Sequence, residues 1–272
     1  MELIGAGVGL MLSGGVSGLL LRRRPRAAER SYRVLLLGGA ACTAAAALRV
    51  LLGGPEEPIS LAPALPGGPW VIGVDPLSAW FLLMLSLVAG AATVYSVPYL
   101  AAEREHRPVT AVHVLLAVFL AALVGVFTAR AAMLFLVVWE VMALSAFLLI
   151  VFEHEVDEVR RAGVLYFVLT HAGTAALLVM FLLWGRTAPD FTFSSLAAAT
   201  PSLARGGAVI LLLALFGFGV KAGMFPVHVW LPGAHAAAPS HVSALLSGVM
   251  IKTGIYGLLR VLALVGPPPP WW

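Results

Sequence analysis

Residues 216–260 read FGFGVKAGMFPVHVWLPGAHAAAPSHVSALLSGVMIKTGIYGLLR. The stretch is strongly apolar, is interrupted by Pro226, Pro232, Gly233 and Pro239, and holds both lysines of the chain, Lys221 and Lys252. Each lysine lies inside a hydrophobic run instead of at its edge. An ammonium at the centre of a membrane helix costs roughly 2.5–3.5 kcal/mol on insertion scales. A third charge, Glu140, sits in the middle of an earlier run, FLVVWEVMALSAF. The remainder of the chain reads as scaffold that brings these three groups within reach of one another.

Hydrophobic residues make up 61% of the 272 and charged residues 11%, and the mean hydropathy is +0.98. That balance excludes a soluble domain and identifies an all-α, polytopic membrane helix bundle. The net charge of +4 does not point to a nucleic acid. The arginines gather at the ends of apolar runs with no aromatic residues between them. Cys42 lies in an apolar run and reads as a small core residue. The first apolar run, Leu3–Leu21, is followed by arginines. That order suits a first spanning helix with its N-terminus outside, not a cleaved leader.

About eight transmembrane helices are expected, each long enough for ~30 Å of hydrocarbon. They are Leu3–Leu21, Val34–Gly53, Pro76–Leu100, Val109–Thr128, Ala131–Phe152, Ala162–Gly185, Gly206–Phe225 and Ser240–Val265. Ten arginines (22, 23, 24, 26, 30, 33, 104, 107, 160 and 161) fall on one face and five (49, 130, 186, 205 and 260) on the other. The richer face is taken as cytoplasmic, so the chain is a multi-pass protein of the cell membrane with both ends outside. Arg49 and Arg260 are expected to snorkel from helix ends. The loop Gly54–Asp75 suggests a short hairpin around its Pro-Gly-Gly turn, and Trp70 and Trp80 read as interfacial anchors. The segments Glu153–Arg161 and Arg186–Arg205 read as solvated loops.

All fifteen arginines lie in loops or near helix ends, whereas both lysines lie within spans. Arginine keeps its proton under all relevant conditions, while a buried lysine can release one near neutral pH. Intramembrane ionisable groups are functional by default, which favours proton handling. The plainer alternative is that the lysines are static staples. It meets a shortage of partners, because Glu140 is the one acidic residue deep in a span. A Glu140–Lys221 pair is the natural arrangement. At ~4 Å and an effective dielectric near 20 it is worth about 4 kcal/mol, enough to shift a lysine by about three pKa units when it opens. Such a pair, opening and closing, would drive a proton from Lys221 towards Lys252.

Gly217, Gly219 and Gly223 loosen the helix around Lys221, and Pro226 cannot continue its hydrogen bonding. Broken helices at membrane depth line wet cavities or ion sites; a proline kink with glycine packing is the alternative. His228 follows Lys221 by seven residues and would share its face on a continuing helix. His171 sits mid-span beside Thr170 and Thr174, and His235 and His241 lie beyond Pro232. Each histidine is either a proton relay group or a hydrogen-bonded packing residue, with His228 and His171 ahead. His228, His235 and His241 lack tight ligand spacing, so no metal is expected. Ser243, Ser247 and Tyr256 either line a path near Lys252 or bond across helices. No nucleotide fingerprint, cysteine cluster or nucleophile triad is present, and no cofactor is expected. The chain reads as a carrier of charge, not a catalyst.

The motifs KAGMFPVHVWLP (221–232), His235 with Ala238-Pro239, and PSHVSALLSGVMIKTGIYGLLR (239–260) resemble the antiporter-like subunits of respiratory complex I, Mrp antiporters and group 4 membrane-bound hydrogenases. The likeness is most marked to the hydrogenase-4 and formate hydrogenlyase membrane subunits. It implies that Glu140 pairs with Lys221 on a discontinuous seventh helix and that Lys252 on the eighth relays protons inward. His228 then matches the histidine after the break, and His235 the one in the following loop. It also implies two inverted five-helix repeats in the whole family member. On that reading residues 1–107 are three N-terminal helices, 108–265 the first repeat and 266–272 a proline-rich end, with the second repeat absent. Either the chain is a fragment or another chain supplies the other half. The implied partners are other membrane subunits of a hydrogenase or complex I-like assembly, protons (or sodium) and the lipid bilayer, with no nucleic acid. Two alternatives remain open: a subunit of a sodium/proton antiporter, and a structural membrane anchor of a hydrogenase with inert ion pairs.

Overall fold

The computed structural model of the chain describes residues 1–62, 68–103, 109–200 and 207–266. Arg104, Arg107, Arg205, the Pro-Gly start of the expected turn at 66–67 and the proline-rich end at 267–272 lie outside the described residues. In lipid every backbone group must be satisfied within its own segment, so the apolar runs form helices. In order these are α1 (Glu2–Leu20), α2 (Pro25–Gly53), α3 (Pro76–Glu103), α4 (Val109–Thr128), α5 (Ala132–Ile150), α6 (Asp157–Trp184), α7 (Phe193–Ala199), α8 (Gly207–Ala222), α9 (Leu231–Ala237), α10 (Ser240–Leu245) and α11 (Ile251–Val265).

Among the described residues seven helices are long and apolar enough to cross a membrane. The remaining expected span is the 16-residue α8, which stops at Ala222. Gly223 takes φ +69°, the left-handed region open to glycine, and residues 223–230 are not helical before the short α9 begins. The Trp230 indole donates to the Val220 carbonyl at 2.8 Å, satisfying an acceptor that the helix end leaves free. The discontinuous seventh segment is therefore present. Two spans start earlier than expected. Proline is favoured in a first turn, so α2 opens at Pro25 and not Val34. Asp157 and Glu158 complement the helix N-terminus, so α6 opens there and not at Ala162. The segment expected as featureless loop holds α7, capped by Thr192, whose side chain accepts from Ser195 N–H.

The helices form one packed array. Helix α1 lies on α2 and α4, α2 on α3, and α4 on α5, while α6 lies on α8, α8 on α11, and α10 on α3. Glycines set two of these crossings. A Cβ on Gly217 would stand 2.8 Å from the Gly173 carbonyl, so α6 and α8 touch backbone to backbone. A Cβ on Gly254 would stand 2.4 Å from the Phe218 carbonyl and 2.6 Å from Ala222 N, which locks α11 against the last turn of α8.

At one end a hairpin of β1 (Ile59–Ala62) and β2 (Trp70–Ile72) pairs antiparallel, Ile59 opposite Ile72, with a bulge between Ser60 and Ala62. It clasps the α4–α5 link. Gly73 N donates to the Thr128 carbonyl at 2.9 Å, Arg130 N to Val71 at 2.8 Å, and Phe193 N to Arg130 at 2.8 Å. Trp80 is 63% exposed, as an outward-facing anchor would be, whereas Trp70 packs on the core within β2. Arg260 does not snorkel. It is buried in a bidentate ion pair with Asp75.

Candidate functional site

Helix α5 carries Glu140, α6 carries Tyr166 and His171, and the last turn of α8 carries Lys221. A cation is favoured there by the helix C-terminus. The Gly173–Gly217 contact sets α8 against α6, which delivers Lys221 to the α6 face one to two turns from Gly173. Lys221 is 1% exposed, and its Nζ donates to the Tyr166 hydroxyl at 2.8 Å. The amine also lies 4.9 Å from the centre of the Tyr166 ring and 5.9 Å from that of Trp139, within cation–π range. The Tyr166 hydroxyl in turn donates to the Ala143 carbonyl at 3.2 Å, three residues along α5 from Glu140.

The expected direct Glu140–Lys221 pair is not formed. Among the described residues the ion-pair partner of Glu140 is His171, whose Nε2 stands 3.1 Å from Oε2. The imidazole is fixed on both sides. Its ring stacks on Phe167 at 3.9 Å, and Nδ1 lies 2.8 Å from the Phe167 carbonyl. A carbonyl only accepts, so Nδ1 is the nitrogen that donates there, which turns Nε2 towards the Glu140 carboxylate. The other carboxylate oxygen, Oε1, is buried without a partner.

Lys252 belongs to a second group. A π-helical turn, Leu246–Met250, precedes it, and such turns break the regular ladder and recur at functional sites. Lys252 Nζ reaches back to donate to the Ser247 carbonyl. The Ser247 hydroxyl donates to the Ser243 carbonyl at 3.0 Å, and Ser243 Oγ lies 2.9 Å from His235 Nδ1. His235, Ser243, Ser247 and Lys252 thus form one polar run across α9, α10 and α11. Lys221 and Lys252 flank the same close contact, since Gly254 presses on Phe218 and Ala222.

His228 does not share a helical face with Lys221, because α8 ends first. It lies in the non-helical turn with its ring 5.7 Å from that of Phe225, and its Nδ1 is buried without a partner. His241 is buried against Tyr99 of α3. Tyr256 lies one turn along α11 from Lys252 but bonds elsewhere; its hydroxyl meets Ser78, Arg260 and the Phe127 carbonyl. Gly217 serves helix contact and Gly223 helix termination. Sequence reasoning missed Tyr166 and Trp139. The available signal was a hydroxyl-bearing ring on α6 within a few residues of His171.

Residues 129–272 match the family model described as NADH:quinone oxidoreductase/Mrp antiporter, transmembrane. The chain is 42% identical over 204 residues to hydrogenase-4 component B of Escherichia coli (strain K12), covering 73% of this chain and 30% of that protein. It is 35% identical over 208 residues to NAD(P)H-quinone oxidoreductase chain 4 2 of Microcystis aeruginosa, covering 75% and 36%. A chain of the membrane-bound sulfane sulfur reductase, an archaeal respiratory membrane complex, superposes with a TM-score of 0.79 at 25% identity, over 97% of this chain and 41% of that one. The chain therefore spans about a third of the length of the curated relatives it matches.

Proposed function

Because the chain belongs to the NADH:quinone oxidoreductase/Mrp antiporter transmembrane family, we propose that it moves protons as an antiporter-like membrane subunit of a hydrogenase or complex I-type redox assembly. Redox energy comes from partner subunits in this reading. The chain contributes a relay built from Glu140, His171, Lys221, Lys252, His235 and His228.

One observation carries the reading: a lysine that is 1% exposed and held by a tyrosine hydroxyl at 2.8 Å, on a helix packed against the one whose histidine engages a glutamate. Buried charge without a matched anion is unstable as static structure, and it is useful where a proton must leave. The relay starts from a separated state. Rupture of the Glu140–His171 contact frees the carboxylate to attract positive charge onto Lys221. Its return discharges Lys221 across the α8–α11 contact towards Lys252. His235 and Ser243 link Lys252 to the end of the bundle that carries the exposed arginines 22, 23, 24 and 26. We take that end as cytoplasmic and the N-terminus as outside.

The test is proton uptake by sealed vesicles containing the assembled complex. Lys221→Met should abolish uptake while the complex still assembles. Normal uptake with weakened assembly would instead support an inert anchor. Flux that needs sodium would support the antiporter reading, which the family description also names.

A further inference from the structure

At the hairpin end of the bundle a second buried charge cluster lies outside the relay. Asp75 precedes α3, Ser78 lies on its first turn, Arg130 sits on the α4–α5 link, and Tyr256 and Arg260 lie on α11. Arg260 grips both carboxylate oxygens of Asp75, through Nη1 to Oδ2 and through Nη2 to Oδ1 at 2.9 Å. Arg130 Nη2 approaches Oδ1 at 3.2 Å. Burial pushes the Asp75 carboxyl up. The Arg260 hydrogen bond, the Arg130 and Arg260 charges and the Ser78 N–H outweigh it and hold the carboxyl well below the usual range. The cluster is therefore one carboxylate against two guanidiniums, a net excess of one positive charge.

Its two hydroxyls lie 3.0 Å from each other and are ringed by guanidinium nitrogens. Ser78 Oγ donates to the Phe127 carbonyl and accepts from Arg130 Nη2 at 2.8 Å and Arg260 Nη2 at 3.0 Å. The Tyr256 hydroxyl donates to the same carbonyl at 3.0 Å and accepts from Arg260 Nη2 at 3.0 Å and Arg130 Nη1 at 3.4 Å. A proton wire needs each oxygen to accept on one side and donate on the other. Here both hydroxyls receive from arginines that never give up their protons. Lys252, Tyr256 and Arg260 are spaced four residues apart on α11, so the cluster closes the helical face that Lys252 opens.

We propose that the Asp75–Arg130–Arg260 cluster is an electrostatic seal, which stops protons and other cations from passing between Lys252 and the hairpin face. It acts by excess positive charge, as fixed arginines do in pores that reject protons, and by surrounding its hydroxyls with donors that keep their protons. The proposal rests on Lys252 bearing protons in the relay.

The test is passive proton leak into liposomes carrying the reconstituted chain, driven by a potassium diffusion potential and read with an internal pH dye. Arg130→Gln makes the cluster neutral and should raise the leak by about tenfold, the factor that ~1.4 kcal/mol of lost repulsion gives. Arg130→Lys keeps the charge and should remain tight. Asp75→Asn disturbs the same hydrogen bonds but raises the excess charge to two, and it too should remain tight. A tight Arg130→Gln, or leak of equal size in all three variants, overturns the seal. Adding Lys252→Met to Arg130→Gln should abolish the leak. If the leak persists there, it does not run through Lys252 and the seal as placed is overturned; loss of the leak together with normal uptake by Lys221→Met complexes would instead keep the seal and remove the relay.

Discussion

Lys221 Nζ lies 2.8 Å from the Tyr166 hydroxyl, which is its hydrogen-bond partner among the described residues, while Glu140 is engaged by His171. Helix α6 thus holds both members of the expected pair, apart from each other. In the proposed relay this separation is the resting state, in which neither member neutralises the other.

Tyr166→Phe removes the one acceptor of Lys221 among the described residues and leaves a fully buried amine unsatisfied. The expected destabilisation is about 1–3 kcal/mol, read from the unfolding midpoint in nanodiscs. In a Lys221→Met background the same change should cost much less, because the group that needed the hydroxyl is gone. Strict additivity of the two substitutions would remove the contact from the energetic account.

Glu140→Gln keeps the shape of the side chain but cannot take up or release a proton. Vesicles carrying the assembled complex should lose proton flux by at least tenfold, about 1.4 kcal/mol of barrier, with helical content unchanged. Flux at the wild-type rate would show that the carboxylate is a bystander.

Gly254→Ala sets two effects against each other. Alanine gains about 0.8–1.0 kcal/mol of helix propensity over glycine, but its Cβ would stand 2.4 Å from the Phe218 carbonyl. Backbone cannot yield cheaply, and overpacking costs typically about 1–3 kcal/mol or more, so the net change should be a loss of stability. Gly9→Ala on α1 is the control. Nothing lies within 4 Å of its Cβ position, so there propensity should prevail and the protein gain up to about 1 kcal/mol. Unfolding curves of the two variants should shift in opposite directions.

Acid should unfold the hairpin end through Asp75. Its folded value is held below its unfolded one, so its stabilisation is fully present above the unfolded value, about pH 4. It is lost as pH falls through the depressed folded value. Asp75→Asn should be less stable than the native chain at neutral pH and should lack that acid-dependent limb. Parallel acid titrations of both proteins by circular dichroism would check this, and identical curves would exclude Asp75.

Hydropathy made the spanning helices legible, and the arginines marked their ends, because the cost of charge in hydrocarbon acts residue by residue along the chain. The helix break after Lys221 was legible too, from Gly223 and the prolines that follow. The partner of Glu140 was not. An acid and a lysine at similar depth can be read from sequence, but whether they meet depends on how each helix is turned about its axis. That rotation comes from backbone contacts such as Gly173 with Gly217, whose sequence signal is a glycine among many. His228 shows the same limit, since a seven-residue spacing holds only while the helix continues.

The chain's composition and order thus determined by themselves a multi-pass helical bundle with Glu140, Lys221 and Lys252 inside it. Burial in lipid penalises each of those charges wherever the helix points, so their presence is informative before any fold is known. The tertiary structure alone decided that Tyr166 holds Lys221, that His171 holds Glu140, and that Asp75 is shared by Arg130 and Arg260. Hydrogen bonds and ion pairs act over about 3 Å and in fixed directions. Only the packed arrangement of α3, α5, α6, α8 and α11 sets distances that fine.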